Sequence, residues 1–384
     1  MNPKNFKIGI IGGGQLGKML TREAKQMDFK VVALDPTPGS PGGSMADEQI
    51  IGDFYDREKI IELVKKCDVT TIEIEHIDTE VLTELEKEGH KIYPSPSILE
   101  IIKDKSLQKE MMVGNNIPTS RWEMISDLRE TGKKLGFPFI QKSCRGGYDG
   151  RGVFLIRNEE DFENALKGES FGEKYIDFKK ELAVLVARGI DGKIKCFPLV
   201  EMVFDEGANI CDTVIAPARI DSNTADKARN MAIKCIEVLG GVGVFAVEMF
   251  LTEDDEILVN EIAPRVHNSG HFTIEACMTS QFQQHVRAIC GLPLGETESM
   301  IPSVVVNIIG EEDDKGTPYY EGFKEALKIP GVNIHIYGKD IVKPYRKMGH
   351  VTITDRDIEK AISKSKKVKR ILKAIAKEEN SYEK

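Results

Sequence analysis

Between residue 6 and about residue 95 the chain alternates short apolar runs with helix-patterned segments. In order they are "FKIGIIG", "QLGKMLTREAKQM", "KVVALD", "REKIIELVKKC", "VTTIEIE", "TEVLTELEKEG" and "KIYPS". Strands separated by helices return parallel to one another, so this stretch predicts a doubly wound parallel sheet. Its first turn is rich in glycine. In "IGIIGGGQLGKML", residues 8–20, Gly12, Gly14 and Gly17 keep the spacing G-x-G-x-x-G. Asp35 closes the second apolar run about where a ribose-binding acid would stand. On these residues alone, a nicotinamide or flavin enzyme is the first expectation.

The rest of the chain weakens it. A Rossmann dehydrogenase would continue with further strand–helix units, whereas from residue 117 to about 300 the pattern is mixed and turns antiparallel. Strand signals there are "FPFIQKS", "GVFLIR", "ELAVLVARG" and "GVGVFAVEMFL", with helices near 224–239 and 280–290. Before this region, "YPSPSILEIIKDKSLQKEMM" reads as a helix with Ser95 as its cap and Pro96 in its first turn. "GNNIPTS" reads as a linker. A third, smaller region carries the loop "EEDDKGTP", the strands "NIHIYG" and "GHVTIT", and a Lys-rich helical tail.

At 384 residues, two or three domains are expected. The net charge of −9 argues against a general binder of nucleic acid or anionic membrane. No apolar run approaches the roughly 20 residues that span a bilayer, and "MNPKNFK" leads into a strand, so no signal peptide is expected. Seven cysteines without a C-x-x-C pair read as reduced thiols of a cytoplasmic protein. His267 and His271 are four apart, but Asn268, Ser269 and Gly270 make a poor helix between them, and zinc is not expected.

Four groups of residues carry chemistry. The strands "VGVFAVEMFLT" and "EILVNEIAP" flank "EDDE", and a hairpin centred between Asp254 and Asp255 sets Glu248 opposite Glu261. Facing carboxylates destabilise a sheet unless a cation such as Mg²⁺ reverses the cost; two solvated edge glutamates would read the same way. An odd loop would put them on opposite faces. The second group is "QKSCRGGYDGRGVF", with Gly146, Gly147, Gly150 and Gly152 beside Arg145 and Arg151. Its amides and arginines suit a lid over phosphates, and a plain flexible hairpin is the alternative. It lacks the G-K-[ST] of a Walker loop. Third, Lys105 falls on the apolar stripe set by Ile98 and Ile101, and Lys142 ends "FPFIQK"; each ammonium either meets a triphosphate or snorkels to solvent. Fourth, Arg265, His267 and Asn268 follow Glu261 closely and offer donors for a small oxyanion, although capping residues would look similar.

Taken in order, "GGGQLGKML", "EIEH", "GGYDGRG", "ELAVLVARG", "VEMF", "NEIAPRVHNSGH" and "RKMGH" closely resemble the N5-carboxyaminoimidazole ribonucleotide synthases, ATP-grasp enzymes of purine biosynthesis. The resemblance runs from about residue 6 to 355. It implies an α/β and α+β fold: a Rossmann-like pre-ATP-grasp domain over residues 1–100, an ATP-grasp domain over 101–300 with a glycine-rich lid at about 117–187, and a small β-rich C-terminal domain with a helical tail over 301–384. It also implies the reaction, in which ATP phosphorylates bicarbonate to carboxyphosphate. That species, or the CO₂ it releases, then carboxylates 5-aminoimidazole ribonucleotide.

Carried residue by residue, the resemblance implies ATP contacts from Lys105, Lys142, Gly147, Gly150, Gly152 and Asn260, with Glu173 and Lys174 at adenine and Glu181 on the ribose. Glu248 and Glu261 become Mg²⁺ ligands. Arg265, His267 and Asn268 form the bicarbonate and carboxyphosphate pocket. Tyr148 and Arg151 of the lid, with Glu73 and Glu75, approach the aminoimidazole. Arg346 and Lys347, with Gln15, take the 5′-phosphate; "KPYRKMGH" is a basic knot in an acidic chain, and the glycine loop then faces the ribonucleotide. Relatives of this family form homodimers, so a homodimer is implied here.

One departure is Val153, where relatives carry glutamine at the end of the lid. The rival readings are a formate-dependent glycinamide ribonucleotide transformylase, a biotin-dependent carboxylase, an NAD-dependent oxidoreductase and a non-catalytic nucleotide-binding module. The first typically has a serine-rich lid and a motif like S-P-R-P-H-D, both absent here. The NAD reading leaves Glu248, Glu261 and the second glycine loop without a role.

Overall fold

The computed structural model describes residues 2–147, 152–204, 211–311 and 315–377. Four parallel strands open it, in the order Glu48–Ile51, Lys30–Asp35, Lys7–Ile11, Val69–Ile72. This is the sheet that the strand–helix alternation predicts. Parallel strands covered on both faces must be apolar throughout. Ile11 and Leu34 accordingly bury with Leu63 and Leu82 on one side, while Ile8, Ile10 and Val31 bury with Leu20 and Ala24 on the other. Asp56 and Asp78 start the helices Arg57–Lys66 and Thr79–Lys87, each carboxylate accepting from the amides two and three residues on.

A nine-stranded sheet forms the middle of the molecule, and its neighbours are antiparallel. Its main path runs Ile257–Ala263, Gly243–Thr252, Phe178–Arg188, Val200–Phe204, Cys211–Ala216, Ser303–Ile309, Lys347–Thr354, Val332–Ile336. Three strands after residue 301 therefore extend this sheet, while Pro318–Glu321 and Lys373–Ala376 pair as a separate two-stranded sheet. The helices Ser222–Leu239 and Gln281–Ile289 lie where the helical patterns near 224–239 and 280–290 put them.

A smaller antiparallel sheet, ordered Trp122–Met124, Ser170–Lys174, Phe139–Ser143, Val153–Ile156, stands over one end of the large one. The helix Leu128–Leu135 packs so tightly on it that a Cβ at Gly172 would lie 2.7 Å from the Thr131 methyl.

One expected helix is two. The segment after Tyr93 forms Pro96–Lys103 and then Lys105–Gly114. Asp104 makes the break, because its carboxylate accepts from the Ser106 and Leu107 amides and caps the second helix. Lys105 is thus the first residue of a new helix and not part of the apolar stripe of Ile98 and Ile101. Ser95 occupies the N-cap position before Pro96, but its hydroxyl meets Ser97 Oγ at 2.7 Å instead of a backbone amide. Among the described residues, no helix is long and apolar enough to cross a membrane.

Candidate active site

The glycine turn is already filled. Gly14 N–H donates to Glu73 Oε1 at 2.6 Å, Gly17 N–H donates to the other oxygen, and Gly13 N–H donates to Asp35 Oδ2 at 2.8 Å. Gly12 has a φ of 106°, and a Cβ there would lie 2.2 Å from Glu73 Cγ. The amides that would cradle a dinucleotide pyrophosphate therefore hold a carboxylate of the chain itself. Asp35 is correspondingly not a ribose acid: it also accepts from Thr37 N–H, and it braces the turn. Burial raises the Glu73 carboxyl above the usual range, against the pull of the two amides and Arg265. Gln15 begins the helix Gln15–Gln26, half-buried beside this turn.

Glu248 and Glu261 stand directly opposite on adjacent strands, as expected, but by a different route. Next to the turn, Leu251 pairs with Ile257 and Met249 with Val259, the register of an odd loop. A bulge then takes up Asn260 and restores the pairing of Glu248 with Glu261 on one face. Lys105 Nζ reaches Glu261 at 2.5 Å, and His267 Nε2 lies 3.5 Å from Glu248. Burial, the facing Glu261 and then Glu181 raise the Glu248 carboxyl, while the Lys105 ammonium holds Glu261 below the ordinary range. Glu181 is pushed up to about 7 by burial, with Glu261 adding to the rise and Lys142 opposing it.

Lys105, Glu181, Glu248 and Glu261 line a cleft of about 240 Å³ between the small sheet and the end of the large one. Lys105, Lys142, Glu173, Lys174, Glu181, Glu248, Asn260 and Glu261, expected from sequence, all border it. The opposing wall is apolar: Ile140, Val153, Ile176, Phe178, Phe204 and Phe250, with the Phe178 and Phe250 rings stacked at 4.8 Å. Val153 thus adds apolar surface to this wall.

The Glu173 side chain turns to Lys142 at 2.5 Å, to Lys109, and to Ser120 Oγ at 2.6 Å. Lys142 also donates to Asn260 Oδ1 at 3.0 Å. Lys109 was not anticipated. The signal for it was its place four residues after Lys105, on the same helix face.

Beyond the bulge, the post-hairpin loop is held by Gln281, which accepts from His267 N–H and donates to His267 O, both at 2.8 Å. His267 Nδ1 meets Ser269 Oγ at 2.9 Å, turning Nε2 toward Glu248. Arg265 Nε lies 2.8 Å from Glu75, joining this loop to the first sheet's "EIEH" segment. Both side-chain polar atoms of Asn268 are buried with no hydrogen-bond partner among the described residues.

The basic knot faces the same region. Lys347 opens the strand Lys347–Thr354, and its charge acts on Glu248 and on His271. Arg346 donates to Ile341 O at 2.7 Å. Two further lysines, missed in the sequence, tie the knot to its surroundings: Lys339 Nζ donates to Lys347 O at 2.7 Å, and Lys18 Nζ to Ile336 O and Tyr337 O at 3.0 Å each. Of the lid, Arg145 pairs with Asp104 at 3.0 Å, and Gly147 and Gly152 are described, Gly152 with a φ of 76°. Tyr148, Gly150 and Arg151 lie outside the described residues.

Three family models match in succession. They are a ribonucleotide synthetase preATP-grasp domain over residues 5–103, an ATP-grasp domain over 110–282, and a phosphoribosylaminoimidazole carboxylase C-terminal domain over 303–364. The chain is 42% identical over 353 residues to the N5-carboxyaminoimidazole ribonucleotide synthase of Bacillus subtilis, covering 90% of each. It spans only 63–67% of the length of the first phosphoribosylaminoimidazole carboxylases that it also matches. Among solved structures, the N5-carboxyaminoimidazole ribonucleotide synthetase from Thermotoga maritima agrees with a TM-score of 0.91 at 54% identity, over 97% of this chain and 100% of that one. The synthase from Aspergillus clavatus, solved with ADP and 5-aminoimidazole ribonucleotide, agrees with a TM-score of 0.89 at 37% identity, over 96% and 99%.

Proposed function

The chain belongs to the N5-carboxyaminoimidazole ribonucleotide synthase family of ATP-grasp ligases, and from that membership we propose its reaction. It carboxylates 5-aminoimidazole ribonucleotide with ATP and bicarbonate, releasing ADP and phosphate, in purine biosynthesis. The observation that carries this reading is the facing pair Glu248 and Glu261 with Lys105 beside it, opening toward His267 and the orphaned Asn268.

ATP lies along the cleft with its base against Ile140, Ile176 and Phe178, its ribose toward Glu181 and its phosphates at Lys105 and Lys142. Glu248 and Glu261 offer the hard oxygen donors that would hold Mg²⁺. Bound there, Mg²⁺ would offset the charge of the triphosphate. An oxygen of bicarbonate attacks the γ-phosphorus, the bond to the bridging oxygen breaks, and ADP leaves carboxyphosphate behind. Arg265, His267 and Asn268 hold its oxygens. The exocyclic amine then attacks the carboxyl carbon, or that of the CO₂ released; phosphate departs with the C–O electron pair, and the amine proton passes to it.

Arg346, Lys347 and Gln15 take the ribonucleotide 5′-phosphate, and Glu73 and Glu75 border the imidazole with Tyr148 and Arg151 of the lid. Closure of the lid keeps water from carboxyphosphate. The protein works as a cytoplasmic homodimer, an expectation that light scattering on the purified protein checks.

The test is ADP release with Mg-ATP and bicarbonate, with and without 5-aminoimidazole ribonucleotide, beside a parallel arm of glycinamide ribonucleotide with formate. Dependence on the aminoimidazole, with labelled bicarbonate trapped in an acid-labile product, is expected. Activity in the formate arm alone would move the chain to the transformylases.

A further inference from the structure

Behind the cleft lies a buried group of three charges. Lys109 is 2% exposed and Glu173 3% exposed, so neither has water to screen it. One oxygen of Glu173 takes Lys109 and the Ser120 hydroxyl, and the other takes Lys142 at 2.5 Å. Thr119 Oγ1 accepts from Lys109 at 2.6 Å and donates to Val259 O at 2.7 Å, which fixes the ammonium from behind. Lys142 and Glu173 border the cleft, whereas Lys109 does not.

Two ammonium groups therefore share one carboxylate, and the group carries a surplus positive charge that only Lys142 presents to the cleft. A charge pair closed on itself in a dry site is costly to open, while a carboxylate already satisfied from one side holds its second partner less exclusively. Burial would raise the Glu173 carboxyl, but the Lys142 and Lys109 charges outweigh it and hold it well below the usual carboxylate range.

We propose that Lys109 is a positioning residue for ATP: by satisfying Glu173 from the side away from the cleft, it leaves the Lys142 ammonium available to the nucleotide phosphates. The proposal rests on the reading that Lys142 binds ATP phosphate. Without Lys109, Glu173 and Lys142 become a closed neutral pair, and ATP must break that pair before Lys142 can serve it.

The experiment is steady-state kinetics on the full chain, varying ATP, bicarbonate and 5-aminoimidazole ribonucleotide in turn. Lys109→Met keeps the length of the side chain and removes its charge. It is expected to raise the KM for ATP about tenfold, leaving kcat and the other two KM values within about threefold. In the double variant Lys109→Met with Glu173→Gln, no carboxylate competes for Lys142, and the KM for ATP is expected to return to within about threefold of the parent.

A packing role alone would move all parameters together and would not be rescued. An unchanged KM for ATP in Lys109→Met, or an unrescued one in the double variant, overturns the proposal. Should Lys109→Met not fold, the double variant carries the test, and a KM raised about tenfold there overturns it. Lys142→Met is the control for the underlying reading: an unchanged KM for ATP there removes that reading and the proposal with it. A raised value there, with no change in Lys109→Met, overturns the proposal alone.

Discussion

Asn268 follows His267 in the loop after the central hairpin, and its amide is buried with neither oxygen nor nitrogen satisfied among the described residues. Burying such a group without a partner costs about 1–3 kcal/mol. In the reaction proposed above, the oxyanion of carboxyphosphate would satisfy this group. Stability and activity should therefore part at this residue. Asn268→Ala is expected to melt at the same temperature as the parent or higher, while kcat falls by about two orders of magnitude. Thermal melting and ADP release on the same sample check both halves. A lowered melting temperature with normal turnover would mean that the amide is structural.

The helix Lys105–Gly114 exists as a separate element because Asp104 caps it, and that cap delivers Lys105 to Glu261. Asp104 also holds Arg145 at the start of the lid loop. Asp104→Ala is expected to lose about 1–2 kcal/mol of stability from the cap and to raise the KM for ATP, because Lys105 loses its anchor. Asp104→Asn still accepts from the amides, so it should recover the stability but not the Arg145 pair; urea denaturation of both variants separates the two. This break marks a limit of legibility. The periodicity of Ile98, Ile101 and Lys105 reads as one helix, and only the competition of the Asp104 carboxylate for local amides ends it. The hairpin shows the same limit from the other side. Apolar alternation around "EDDE" is enough to predict the hairpin, but the register next to the turn is not the one that places Glu248 opposite Glu261, and the bulge at Asn260 that restores the pairing leaves no local mark. Contacts far apart in sequence were the least legible. Glu73 enters the glycine turn from 56 residues beyond Gly17, and no spacing rule anticipates an internal carboxylate where a phosphate was expected.

At the scale of the whole molecule the cleft is a joint between regions, and the charges that reach across it set its behaviour. Lys347 comes from the last strands, yet its charge acts on Glu248 of the central hairpin. Lys347→Ala is expected to raise the KM for 5-aminoimidazole ribonucleotide about tenfold and more than that for ATP; equal changes in both would count against a role at the ribonucleotide phosphate. The first sheet is pinned to the central one at His285. Its Nδ1 accepts from Val244 N–H at 3.0 Å, so the proton sits on Nε2, which donates to Thr71 Oγ1 at 2.8 Å. Burial lowers this histidine from 6.5 to about 4, because a charged ring would lose both water and the Val244 bond. Between those values the unfolded chain binds a proton that the folded chain refuses. The stabilisation is therefore complete above pH 6.5 and is lost as the pH falls toward 4, by roughly 3 kcal/mol in all. His285→Gln can keep both hydrogen bonds and does not titrate. Melting curves between pH 7.5 and 4.5 should fall more steeply for the parent than for this variant, and the gap between them should narrow or reverse at the acid end. Parallel slopes would show that His285 takes up its proton equally in the folded and the unfolded chain, and would overturn the buried neutral imidazole.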